Sequence, residues 1–186
     1  MRTQRQRFNR IVTALFFAVG FSLPVGAQDK PLDELYQELG QADAGTYARV
    51  QDKIFAAWEK SGSPAMDLLL RRGKDAMQEG TPDVAAEHFS ALIDHAPDFA
   101  GGYYGRASAY YALGLIGPAM DDLQTVLTLN PRHFEAMRGL ATIMREQDRP
   151  GDAMTLYQMI LEINPQSADI QAEIADLQLQ MEGQAL

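Results

Sequence analysis

The stretch that decides the fold covers residues 100–133 and reads AGGYYGRASAYYALGLIGPAMDDLQTVLTLNPRH. Its first half carries a helical pattern in which large and small residues recur at Tyr103, Ala107 and Tyr110. A Gly117–Pro118 break follows, and a second helical run extends from Ala119 to Leu129 before an Asn-Pro pair ends it. We therefore predict a helix-turn-helix hairpin, with its second helix opened by the Gly-Pro break.

The chain repeats this hairpin with a fixed period. The prolines that end successive units are Pro97, Pro131 and Pro165, each 34 residues after the last. The three units cover residues 66–99, 100–133 and 134–167. An uninterrupted period of this length indicates an array of stacked helical pairs.

Small and large residues keep their places within the period. The first helix of each unit carries a small residue, at Gly73, Ala107 and Ala141. The second helix carries an alanine followed four residues later by a large side chain; these pairs are Ala85 and Phe89, Ala119 and Leu123, Ala153 and Tyr157. Because two helices approach to about 8–10 Å only where the contacting side chains allow it, these positions predict the helix crossings.

This pattern resembles the tetratricopeptide repeat family at its small-residue, alanine, aromatic and proline positions, over residues 66–167. The chain departs from the family where a Trp is usual (here Leu69, Tyr103 and Met137) and where a Leu precedes the small residue (here Arg72 and Arg106). The resemblance implies an all-α fold, a right-handed α-solenoid of antiparallel helix pairs. In such arrays the first helices of successive pairs line a concave groove.

Helical patterns also flank the repeats. Residues 28–63 contain two helical runs, from which we predict an N-terminal helical pair that caps the array and buries Phe55 and Trp58 against the first unit. Residues 168–186 form one amphipathic pattern, with its apolar side at Ile170, Ile174, Leu177 and Met181. This pattern predicts a C-terminal capping helix whose opposite, polar side faces solvent.

The first 27 residues have a different character. A start with four arginines and no acid precedes an apolar run of 13 residues, Ile11–Leu23, and small residues end at Ala27. The apolar run is shorter than the roughly 18 residues that span a bilayer. We predict a cleaved signal peptide at residues 1–27, with an uncleaved N-terminal anchor as the alternative. The expected location is therefore outside the cytoplasm, in the periplasm if the source is Gram-negative, with no stable membrane insertion after cleavage.

Composition narrows the class of partner. Without residues 1–27 the chain keeps 12 basic and 25 acidic residues, a net charge of −13. Such a charge disfavours nucleic acid and anionic membranes, and it favours a solvated protein or a basic partner. Cysteine is absent, so no disulfide supports the fold.

Catalytic and metal-binding motifs are missing from the sequence. His88 and His95 have no accompanying HExxH motif or cysteine ligand. No G-x-S-x-G or S-x-x-K motif surrounds a serine, and Gly101–Gly102 follows no strand pattern that would make it a phosphate loop. We predict no enzyme activity, no cofactor and no metal site.

The family resemblance also implies which residues line the groove. They are Asp67, Leu70, Lys74 and Met77 from the first unit, Tyr104, Ser108 and Tyr111 from the second, and Glu135, Arg138, Thr142 and Arg145 from the third. Aromatic and arginine side chains are common binding anchors, although the two tyrosines could instead only pack against neighbouring helices. The family's clamp for C-terminal carboxylates is not expected, because its positions hold Leu70, Lys74, Gly105, Glu135 and Gly139 and only the lysine is basic.

These features together predict a non-catalytic, exported adaptor that binds a segment of a protein or peptide partner in the groove. Two alternatives stay open. One is a self-associating structural component of an envelope complex. The other is an accessory subunit of an enzyme or of a maturation complex.

Overall fold

A computed structural model of the chain describes residues 31–184, so the predicted signal peptide lies outside the described residues. Within residues 31–184 the chain forms nine helices and no strand. The helices are α1 Leu32–Gly40, α2 Tyr47–Trp58, α3 Pro64–Gln78, α4 Pro82–His95, α5 Ala100–Ala112, α6 Ile116–Leu129, α7 Phe134–Glu146, α8 Pro150–Ile163 and α9 Ala168–Gln184. Helices α3–α4, α5–α6 and α7–α8 are the three predicted pairs, and each pair packs on the next. The predicted all-α solenoid is confirmed.

A residue with left-handed backbone conformation follows the first helix of each pair. Gly80 and Gly114 have φ values of +73° and +72°, as their places in the period predict, and Asp148 takes the third position with φ of 57°. The residue after each one donates its backbone N–H to a carbonyl five residues back, for example from Thr81 to Ala76 at 2.9 Å. Aspartate tolerates this conformation better than most residues, which lets the third turn keep the same shape without glycine.

The opening of α6 differs from the sequence expectation. The helix begins at Ile116, so the Gly117–Pro118 pair lies inside its first turn and does not break the chain there. Pro82 and Pro150 do open their helices at the equivalent position. Proline fits both places because the N–H groups of the first turn have no partner within the helix.

The repeat positions pack as their sizes predict. Ala85, Ala119 and Ala153 are fully buried, and the large side chains four residues later, Phe89, Leu123 and Tyr157, are at most 5% exposed. The ring of Phe89 lies between α3 and α5, where a β-carbon on Gly73 would sit 2.5 Å from its Cε1 atom and one on Gly105 would clash as well. Glycine at both places gives the ring room between the two helices.

The N-terminal pair does not pack where the sequence places it. Phe55 contacts Phe134, with ring centroids 5.8 Å apart, and Trp58 contacts both His133 and Phe134, where the second unit meets the third. Helix α1 packs on α8. The expectation that Phe55 and Trp58 are buried against the first unit is therefore wrong.

Two tyrosines attach this pair to the loops between repeat units. The Tyr36 hydroxyl donates to Asn130 Oδ1 at 3.3 Å, and the Asn164 amide donates to the Tyr47 hydroxyl at 3.1 Å. Asn130 and Asn164 are equivalent in the period, whereas the first unit has Ala96 at this position and offers no such group. The N-terminal pair therefore packs on the two later loops, because their side-chain amides offer hydrogen bonds that the first loop does not.

Helix α9 packs against α8 through Ile170 and Leu177, both almost fully buried, while Met181 at the far end is 39% exposed. Its polar side faces solvent, as the sequence predicts. Three carboxylates on this side also form ion pairs with α7; the pairs are Asp169 with Arg138, and Glu173 and Asp176 with Arg145. The capping helix therefore adds charge to the inner face of the array.

Candidate binding groove

A cavity of about 640 Å³ lies between α2 and the inner helices of the array. Helices α3, α4, α5 and α7 and the start of α9 supply one side, and α2 supplies the other. Its apolar lining consists of Phe55, Trp58, Leu70, Met77, Phe89 and Tyr104. A largely apolar cavity with a few polar groups at its margin is the usual form of a ligand site in a protein.

Three rings form what we term the aromatic shelf: Trp58, His133 and Tyr104. Trp58 stacks on His133 with centroids 3.8 Å apart and planes 14° apart, and the ring centroid of Tyr104 lies 4.8 Å from that of His133. The Trp58 indole N–H donates to the Tyr36 hydroxyl at 3.1 Å, which fixes the indole plane. Helices α2, α5 and α7 are thus joined along one wall of the cavity.

His133 supports the shelf and also begins α7. Its Nδ1 accepts the backbone N–H of Ala136 at 3.2 Å, so the imidazole serves as the helix cap. Burial lowers the pKa of His133 to about 4, because the charged imidazolium is disfavoured away from water. The ring is therefore neutral at pH 7.

Charged groups lie at the margins of the cavity. Lys74 pairs with Glu59 at one end. At the other end Arg138 pairs with both Glu135 and Asp169. Burial raises the pKa of Glu135, with the neighbouring guanidinium opposing the shift. Burial also raises the pKa of the Tyr104 phenol to about 12, so it stays protonated.

The structure brings together most of the residues that the resemblance assigns to the groove. Those lining the cavity are Leu70, Lys74, Met77, Tyr104, Ser108, Glu135 and Arg138. Asp67, Tyr111, Thr142 and Arg145 do not line it. The Tyr111 hydroxyl is exposed and donates to Glu146, Arg145 is paired with α9, and Asp67 accepts hydrogen bonds from Ser61 before α3.

Sequence reasoning missed the wall that α2 supplies. Phe55, Trp58 and Glu59 line the cavity, as do His133 and Asp169 at the starts of later helices. The single tryptophan on an apolar stripe was a signal of burial, but nothing in the sequence indicates which helices it contacts. His133 has no histidine at the equivalent positions of the other units, so the repeat pattern gave no sign of its role.

Two other kinds of feature, a metal-ligand cluster and a membrane-spanning helix, are absent from the described part of the chain. In residues 31–184, no three His, Cys, Asp or Glu side chains are grouped as a metal ion would require. No helix in this range is both long and apolar enough to cross a membrane.

The buried neutral state of His133 makes stability depend on pH. An unfolded histidine gains a proton near pH 6.5, whereas folded His133 does so only near pH 4, so stability falls as the pH drops through this range. The loss should be on the order of 2–3 kcal/mol by pH 4. Urea titrations at pH 7 and pH 4.5 measure it.

The matched control is His133→Asn, which keeps an acceptor at the start of α7 but removes the titrating ring. Its free energy of unfolding should fall less than that of the unmodified chain over the same pH interval. If the free energy of unfolding falls equally in the two proteins between pH 7 and pH 4.5, His133 is not buried in its neutral form.

Comparison with known proteins gives one consistent family. Two family models described as tetratricopeptide repeat match residues 70–121 and 118–177, which together span more than half of the chain. A TPR repeat-containing protein of Rhizobium etli is 26% identical over 144 residues, covering 77% of this chain and 71% of its own length. A tetratricopeptide repeat and J domain-containing co-chaperone of Cryptococcus neoformans is 27% identical over 84 residues, and the match spans only 16% of that protein.

Solved structures agree on the fold. The first TPR of Spaghetti (RPAP3), bound to the HSP90 peptide SRMEEVD, superposes with a TM-score of 0.59 at 20% identity, covering 63% of this chain and 93% of that one. MamA superposes with a TM-score of 0.59 at 24% identity, covering 78% of this chain and 86% of that one. At these identities the likeness concerns the arrangement of helices.

Proposed function

This chain belongs to the tetratricopeptide repeat family, and we propose that it is a non-catalytic adaptor that holds a segment of a partner protein in its groove. The observation that carries the proposal is the cavity of about 640 Å³, lined by aromatic and aliphatic side chains from four helices. A partner side chain that enters this cavity would be shielded from water by several helices at once. Contacts of this kind, with aromatic residues at the centre, supply most of the energy at protein interfaces.

The related RPAP3 domain, solved with a bound peptide, supports the same type of use. Its peptide SRMEEVD has three acidic residues among its last four. In this chain Glu135 and Asp169 line the cavity and share Arg138, so a free carboxylate of a ligand beside them would meet like charge. We therefore propose an internal segment as the ligand, recognised by its side chains.

We also propose that the adaptor acts outside the cytoplasm. The support is the sequence of residues 1–27, with its basic start, its short apolar run and its small residues before Gln28. The mass of the chain recovered from its source cells tests the proposal, because cleavage would leave Gln28 as the first residue.

Tyr104→Ala tests the groove. Tyr104 lines the cavity and belongs to the aromatic shelf, so its removal should weaken peptide binding by about 2 kcal/mol, roughly thirtyfold. The purified chain is used to select binders from a library of displayed random 12-residue peptides. Fluorescence anisotropy then measures the dissociation constants of the selected peptides for both proteins.

Tyr111→Ala is the matched control, because Tyr111 lies on the same helix but outside the cavity. Far-ultraviolet circular dichroism should show equal helicity for both variants. Selected peptides that bind Tyr104→Ala as tightly as the unmodified chain would place the binding surface elsewhere and contradict the proposal.

A further inference from the structure

The inner face of the array carries negative charge that its own arginines do not balance. Two guanidinium groups on α7 are shared among four carboxylates; Arg138 contacts Glu135 and Asp169, and Arg145 contacts Glu173 and Asp176. The next carboxylate along α7, Glu146, accepts a hydrogen bond from the neutral Tyr111 hydroxyl. The surface from α5 to α9 therefore has acidic groups in excess among these paired side chains.

Two of these carboxylates reach the cavity. Glu135 and Asp169 line it, and both depend on the same guanidinium, with Asp169 Oδ2 at 3.3 Å from Arg138 Nη1. Burial raises the pKa of Glu135, and the charge of Asp169 raises it further. A second cation beside this half-buried carboxylate would therefore be stabilised more than one at an exposed surface.

The aromatic shelf lies next to the two carboxylates. Tyr104 belongs to the shelf and lines the same cavity as Glu135, and both burial and the charge of Glu135 raise the pKa of its phenol. Arginine suits such a place, because its planar guanidinium stacks on an aromatic ring and donates to a carboxylate in the same plane. A lysine would pair with the carboxylates but would stack less well.

We propose that the groove selects an internal partner segment that presents an arginine, flanked by a large apolar residue, to Glu135 and Asp169. The guanidinium lies over the aromatic shelf, and the apolar neighbour enters the cavity between Leu70, Met77 and Phe89. This proposal rests on the groove-binding function proposed above and names the chemistry of its partner. Peptides that end in acidic residues are repelled by the same carboxylates.

The test begins with the displayed-peptide selection. Clones that bind the unmodified chain but not Tyr104→Ala are sequenced, and arginine beside a large apolar residue should be enriched among them. The most frequent clone is then synthesised with both ends capped, once with its arginine and once with citrulline, which has nearly the same shape without the charge. The arginine peptide should bind about tenfold more tightly than the citrulline peptide, as expected for a charge-assisted hydrogen bond.

A matched pair of protein variants assigns that difference to the groove. Glu135→Gln should weaken the arginine peptide by about tenfold and leave the citrulline peptide almost unchanged. Glu162→Gln makes the same chemical change at an exposed position of α8, outside the cavity, and should leave both affinities unchanged. The citrulline comparison does not alter the protein, so it holds even if Glu135→Gln lowers stability.

The possible results separate the two proposals. Groove-dependent peptides without a basic residue, or equal affinities for the arginine and citrulline peptides, would overturn the arginine specificity while the groove-binding function stands. If the selected peptide binds as tightly after its arginine is replaced by glutamate, the specificity is overturned as well. If no selected peptide depends on Tyr104, both proposals fall together.

Discussion

Replacing Phe89 with alanine should destabilise the chain by about 3–5 kcal/mol, the range for loss of a fully buried phenylalanine. Phe89 is 1% exposed, and its ring separates α3 from α5 where both helices carry glycine. Without the ring, Gly73 and Gly105 would face an empty space, because neither has a side chain that could fill it. Urea unfolding followed by circular dichroism measures the change.

Phe89→Leu is the control for this prediction. Leucine fills most of the volume between the two glycines. The free energy of unfolding should therefore fall clearly less, by about 1.5 kcal/mol or less. The ring also lines the binding cavity, so Phe89→Ala enlarges the cavity as well as weakening the fold. A loss below about 1 kcal/mol for the alanine variant would mean that the helices close over the space and that the packing described here is wrong.

Replacing Asp122 with alanine should have an effect of similar size, about 3–5 kcal/mol, because it leaves Arg106 without its partner. The Arg106 side chain is 21% exposed; it loses the only carboxylate paired with it among the described residues and keeps just the Ser90 hydroxyl as an acceptor, at 3.3 Å. Asp122 is 5% exposed and accepts two hydrogen bonds from Arg106, each at 2.8 Å. The guanidinium also lies between two rings, 5.8 Å from the centroid of Tyr103 and 5.5 Å from that of Tyr110. These contacts hold the cation in place after its carboxylate is removed, so the charge stays poorly solvated.

The double variant Arg106→Leu with Asp122→Leu is the control. It removes both charges and restores the leucine that the repeat family usually carries at position 106, so it should recover most of the stability. A double-mutant cycle built from Arg106→Leu, Asp122→Leu and their combination, measured by urea unfolding, gives the coupling between the two side chains. If Asp122→Ala is as stable as the unmodified chain, water reaches the guanidinium and the pair contributes little.

The lining of the cavity could be predicted in part. The periodic positions on α3, α5 and α7 indicated most of its inner wall, including Leu70, Lys74 and Tyr104, because the first helix of each pair presents the same face. One periodic residue that lies outside the lining has its partners outside the repeats. Arg145 keeps its periodic place, but α9 supplies carboxylates that engage it.

The sequence by itself determined the helices, their pairing and the residues that meet at each crossing. These features depend on contacts within a pair or between consecutive pairs, which a 34-residue period repeats along the chain. The sizes at Phe89, Gly73 and Gly105 show this dependence, since a large ring in one helix requires small residues in the two helices beside it.

Only the tertiary structure decided where the N-terminal pair lies and how the cavity is closed. The hydrogen bond from Tyr36 to Asn130 joins residues 94 apart, and the one from Asn164 to Tyr47 joins residues 117 apart. Hydrophobic periodicity shows which face of a helix is buried, but it does not show what buries it. The apolar stripe of α2 was therefore visible in the sequence, whereas its position beside His133, which completes the aromatic shelf, depends on the geometry of the whole array.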